Sequence, residues 1–96
     1  MEFLEEAVGM FLEDYPPMIA TIDQALSADD HDELGRTAHG LKGMLGNFQS
    51  NKAVGHALAL ENMGKNKDSN GGRETFEALV QEVNILEKAL TRLIGE

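Results

Sequence analysis

Leu34, Ala38, Leu41, Leu45 and Phe48 recur at intervals of 4, 3, 4 and 3 residues, the single apolar stripe of a helix with one face on a core. Other segments repeat the pattern. Phe3, Leu4, Ala7, Val8 and Phe11 fall at helical intervals before Asp14-Tyr15-Pro16-Pro17, where proline removes amide donors and crowds the preceding turn, so a break is expected. Pro17 suits the first turn of a second helix burying Met18, Ile22, Ala25 and Leu26. Ser27-Ala28-Asp29-Asp30 reads as a turn, with Asp30 capping the helix of the Leu34 stripe and Glu33 as an acid in its first turn. Ser50 or Asn51 caps a fourth helix carrying Ala53, Val54, Ala57, Leu58 and Leu60, closed by Gly64 as a C-terminal glycine.

Lys65 to Gly72 is polar and glycine-containing, a solvated connection. From Arg73 onward, Phe76, Leu79, Val80, Val83, Leu86, Leu90, Leu93 and Ile94 define the longest helix, of about six turns. Short connections between amphipathic helices favour antiparallel neighbours. The spacing therefore predicts an all-α domain over residues 1–96, an up-and-down antiparallel four-helix bundle with a short extra helix at the N-terminus.

Composition supports helix over sheet, since Ala, Leu, Glu, Met and Gln outnumber Val, Ile and Thr and there is no Trp. Cysteine is absent, which excludes disulfides, thiolate metal sites and a cysteine nucleophile. Eight Lys and Arg against 17 Asp and Glu give a net charge of −9, which repels nucleic-acid phosphates and anionic lipid surfaces. No apolar run reaches the roughly 18 residues of a membrane span, and the acidic Met1-Glu2-Phe3-Leu4-Glu5-Glu6 is unlike a basic signal-peptide start. A cytoplasmic location is expected.

The third helix carries the candidate chemistry on the side away from its stripe. At about 100° per residue, His39 points about 140° from the stripe centre, toward solvent. Gly35, Gly43 and Gly46 stand at −4, +4 and +7 from it, a bare platform that gives up about 1 kcal/mol of helix propensity per glycine. Close approach by another protein accounts for it. Arg36 and Lys42 at −3 and +3 are the first bases in the chain, and they bracket His39 with charge suited to a dianionic group. Imidazole is largely unprotonated yet nucleophilic near neutral pH, so the chemistry suggested is reversible phosphorylation of His39. An ordinary surface histidine is the other reading of this residue. His31 and His56 lack such surroundings, and His31, Asp32 and His39 lack the i, i+4 spacing of helical metal ligands, so no metal site is expected.

Arg36-Thr37-Ala38-His39-Gly40-Leu41-Lys42-Gly43 resembles the Ala-His-x-Leu-Lys-Gly signature of histidine-containing phosphotransfer domains. The resemblance spans essentially the whole chain, through Phe11 to Ile19, Asp29-Asp30 and Ala57-Leu58-Ala59-Leu60-Glu61. It implies a monomeric helical bundle with His39 as phosphoacceptor, Lys42 contacting the phosphoryl group and Gly43 keeping the site open. It also implies response-regulator receiver domains as partners, with a sensor histidine kinase as a further candidate. Magnesium would be held by the receiver, and no cofactor by this chain, which is a carrier rather than an enzyme. Docking is expected over Gly35, Arg36, Gly43, Gly46 and Asn47.

Two positions depart from the pattern. Gln49 stands where members commonly have glycine, and Glu61, 22 residues after His39, stands where many relay members resemble one another in having Gln and chemotaxis-kinase versions have Glu. Glu61 either orients the imidazole or is an ordinary exposed acid. A free-standing domain and the end of a hybrid sensor kinase both fit. The alternative function is a helical module that binds a receiver or kinase without carrying phosphate; a kinase dimerisation domain fits less well, because Gly40 replaces the acid that follows the histidine there.

Overall fold

The computed structural model describes residues 2–48 and 50–95, with side chains from 5 to 93 apart from 49. It contains α1 (Glu2–Ala28), α2 (His31–Gly46), α3 (Asn51–Asn66) and α4 (Gly72–Gly95), with no strand among the described residues. α1 packs on α2, α2 on α3, α3 on α4 and α4 on α1, so each helix meets two neighbours around one core. The closest seam is α2–α3.

The apolar stripes become that core. Leu34, Ala38, Leu41 and Leu45 of α2 are fully buried, as are Ala53, Ala57 and Leu60 of α3, and Phe76, Leu79, Val83 and Leu90 of α4 join them. Leu58 and Leu93, expected inside, are exposed. Phe48 lies just beyond α2 and packs against Phe11, with ring centroids 5.1 Å apart.

The short extra N-terminal helix is not a separate element, because α1 runs unbroken through Pro16 and Pro17 for 27 residues, which also makes it, and not the 24-residue α4, the longest helix. Val8, Phe11, Tyr15, Ile22 and Ala25 are all buried and form one continuous helical face across the prolines. Phe11 and Tyr15 stack at 4.9 Å, and the Tyr15 hydroxyl donates to Glu87 of α4. Both proline rings are exposed, so neither displaces a core side chain. Burial of the common face thus overrides the local breaking tendency.

The cap at α2 is as the sequence indicates, with Asp30 accepting from the Glu33 amide at 3.2 Å. Ser50 precedes α3 without a side-chain capping bond. Gly64 does not terminate α3. The helix continues to Asn66, and Lys67 takes the left-handed conformation at φ 54°, with its amide bonded to the Gly64 carbonyl and the Asp68 amide to the Met63 carbonyl. Gly64 serves packing instead. A Cβ there would sit 2.5 Å from the Gly35 nitrogen and 2.6 Å from the His31 carbonyl oxygen, so the last turn of α3 lies backbone to backbone against the first turns of α2.

Candidate functional site

The tight seam between α2 and α3 determines what faces His39. Its side chain is 68% exposed on α2, while Glu61, one turn before Gly64 on α3, is 4% exposed. His39 Nδ1 lies 3.0 Å from Glu61 Oε2. A carboxylate can only accept, so Nδ1 carries the proton and Nε2 of the neutral ring holds the free lone pair.

Two lysines meet the same carboxylate. Lys42 Nζ is 2.7 Å from Oε1, and Lys65 Nζ is 3.1 Å from Oε2. The Lys42 ammonium above all, with Lys65 and His39 behind it, outweighs burial and holds the Glu61 carboxyl down to about 2. Glu61 is therefore anionic at neutral pH.

A group held below its ordinary value stabilises the fold above that value and stops doing so as pH falls through the lowered one. The stabilisation from Glu61 is thus present above about 4.5 and lost from there toward 2. Glu61→Gln removes the ionisable group. Its urea midpoint, followed against pH, is expected to fall less than that of the natural protein across this window; parallel curves would contradict the charge assignment.

The other expected site residues divide into two groups. Gly43 and Gly46 are exposed, and a Cβ at either would meet nothing within 4 Å, so this stretch of α2 beside His39 is open. Asn47, also exposed, follows the end of α2. Gly35 instead turns toward α3, where a Cβ would touch the Glu61 carbonyl oxygen and Gly64 Cα at 3.6 Å. Arg36 is exposed and pairs with Glu33 along α2. Gly40 lies against α1, with Met18 Cε 3.0 Å from where its Cβ would be. Gln49 falls outside the described residues.

The sequence signal that marks Lys65 is its i, i+4 spacing after Glu61 on one helix, a weak one by itself. It lines an open groove of about 390 Å³ between α2 and α3, together with His31, Gly35, Arg36, His39 and Glu61. Among the described residues, no group of three His, Asp or Glu side chains is placed to hold a metal ion, and no helix is long and apolar enough to cross a membrane. The arrangement presents one exposed nucleophilic nitrogen, a buried anion fixing the opposite side of its ring, and ammonium groups close by.

The family model of the Hpt domain matches residues 6–94. No curated protein and no solved structure matches the chain.

Proposed function

Because the chain belongs to the Hpt domain family, whose members carry phosphoryl groups in two-component phosphorelays, we propose that His39 is the group that accepts and returns the phosphoryl. The observation that carries this reading is the pairing of exposed His39 with buried Glu61 through Nδ1. The donor is the aspartyl phosphate of a response-regulator receiver. The Nε2 lone pair forms the N–P bond while the aspartyl O–P bond breaks, its electron pair staying on the aspartate carboxylate.

The ring becomes a phosphorylated imidazolium, and its Nδ1 proton remains shared with Glu61. That carboxylate stabilises positive charge as it develops, much as an acid oriented on a catalytic histidine does. Retaining the proton also keeps the ring a good leaving group for return to a second receiver. Lys42, fixed on Glu61 Oε1, adds positive charge beside the phosphoryl group.

On this reading the receiver supplies Mg²⁺ and most of the transition-state stabilisation, and this domain is a carrier without a cofactor of its own. Receivers dock across the open Gly43 and Gly46 stretch, with Gly35, Arg36 and Asn47 at its border; a sensor histidine kinase is a further partner. The domain acts as a monomer in the cytoplasm. An up-and-down antiparallel bundle belongs to the same reading, supported by Arg73 meeting Asp23 at one end of α1 and α4 and Tyr15 meeting Glu87 farther along.

The test is incubation with a phosphorylated receiver. Acid-labile, alkali-stable phosphate on the domain is the expected result, whereas binding without label would favour an interaction module that carries no phosphate. Glu61→Ala is expected to slow uptake about ten- to a hundredfold, the usual effect of removing a group that orients a functional histidine. Glu61→Gln, which still accepts from Nδ1 but lacks the charge, should fall between the two. An unchanged rate in Glu61→Ala, with its melting curve confirming a folded domain, would remove Glu61 from the site.

A further inference from the structure

The Glu61 carboxylate has more positively charged neighbours than it needs, and they are not equivalent. Oε1 is buried and accepts no well-aligned hydrogen bond; the Lys42 ammonium at 2.7 Å is its charge partner. If Lys42 left, the buried Oε1 would lose its one close polar partner, a costly state. Oε2 is served twice, by His39 Nδ1 at 3.0 Å and by Lys65 Nζ at 3.1 Å. Loss of Lys65 would leave Oε2 with its imidazole donor.

Exposure ranks the lysines the same way. The Lys42 side chain is 27% exposed, whereas that of Lys65 is 67% exposed and lines the groove that also holds His39. Since Lys65 Nζ and His39 Nδ1 lie 3.1 Å and 3.0 Å from one oxygen, they are at most about 6 Å apart. A flexible four-carbon stem carries the ammonium. A phosphoryl group on Nε2 brings two negative charges to this groove, and the cation released at least cost is the one to meet it.

We propose that Lys65 is the mobile counter-charge of the site, pairing with Glu61 while His39 is unmodified and moving to the phosphoryl oxygens once His39 carries the group. Lys42 stays on Glu61 throughout. The sequence resemblance assigns the phosphoryl contact to Lys42; the geometry points to Lys65 for the direct contact, with Lys42 acting through its fixed position. The proposal rests on His39 being the phosphoacceptor, and it adds a residue from a different helix to the phosphoryl-binding set.

The experiment charges the natural domain, Lys65→Gln, Lys65→Arg and Lys42→Gln from a phosphorylated receiver and follows the ³¹P shift of the phosphohistidine against pH. A nearby cation favours the dianion, so Lys65→Gln is expected to raise the ³¹P midpoint by about half a unit or more. It should also slow uptake roughly three- to tenfold, with Lys65→Arg restoring both. Lys42→Gln should move the midpoint less. A Lys65→Gln midpoint equal to that of the natural domain would overturn the proposal, and while the natural domain still takes up acid-labile label the phosphorelay reading would stand. Absence of any label on the natural domain would defeat that reading, and the proposal with it. Lys65 is solvent-exposed, so its variants are expected to fold, and their melting curves verify this.

Discussion

Replacing His39 with Gln is expected to abolish uptake of acid-labile phosphate, lowering the rate at least about a thousandfold, as removal of a sole nucleophile does. The fold should be almost untouched. His39 is 68% exposed and contributes nothing to the buried core, and surface substitutions of this kind shift stability by about 0.5 kcal/mol or less. The Gln amide can also donate to Glu61 Oε2 in place of Nδ1, which keeps the buried carboxylate paired. Unaltered melting together with lost uptake separates chemistry from folding. Residual uptake within tenfold of the natural domain would place the phosphoryl group on another residue.

The second large effect is structural. Ala at position 64 gains about 1 kcal/mol of helix propensity over Gly, but its Cβ would sit 2.5 Å and 2.6 Å from Gly35 backbone atoms and 2.6 Å from the His31 carbonyl oxygen. These obstructing atoms belong to backbone, which cannot swing aside as a side chain can. Overpacking of this kind costs about 1 to 3 kcal/mol and more where the neighbours are rigid. A net loss of about 2 kcal/mol is expected for Gly64→Ala, a fall of about 8 to 16 °C in Tm for a domain of this size. Separation of the seam would also draw Glu61 away from His39, so uptake should slow as well. Gly43→Ala is the contrast, because its Cβ meets nothing and stability should rise by up to about 1 kcal/mol. Equal melting temperatures for the two variants would contradict the close approach of α2 and α3.

The contrast between these glycines shows how far sequence carries. Helical spacing identified the Leu34 stripe and its burial, and the motif around His39 together with an exposed helical face identified the candidate nucleophile. Spacing of apolar residues is set by the same periodicity that packs the core, so it survives folding. Pro16 and Pro17 do not break α1, because a local rule about amide donors says nothing of a buried face running from Val8 to Ala25 on both sides of them.

Gly64 departs from its sequence signature for a related reason. A glycine near a helix end has the signature of a terminating residue, and only the distance to α2 reveals that absence of a side chain is what the position requires. Gly40 differs from Gly64, because the atom its Cβ would meet is the end of the flexible Met18 side chain of α1, which can shift. Glu61 lay open between an exposed acid and an imidazole partner until its burial and its 3.0 Å contact with Nδ1 were known. Lys65 becomes visible only once Glu61 is known to be buried, since i, i+4 pairs on exposed faces are common and weak.

On the proposed reading the phosphoryl group resides on Nε2 of His39 while Nδ1 keeps its proton toward Glu61. Long-range ¹H–¹⁵N correlation NMR of the imidazole, recorded before and after charging from a phosphorylated receiver, tests it most directly. An Nδ1–H tautomer is expected before charging and phosphorus coupling to Nε2 afterwards, with both signatures absent from His39→Gln. Phosphorus coupled to Nδ1, or an imidazole spectrum unchanged by a receiver that binds, would contradict it.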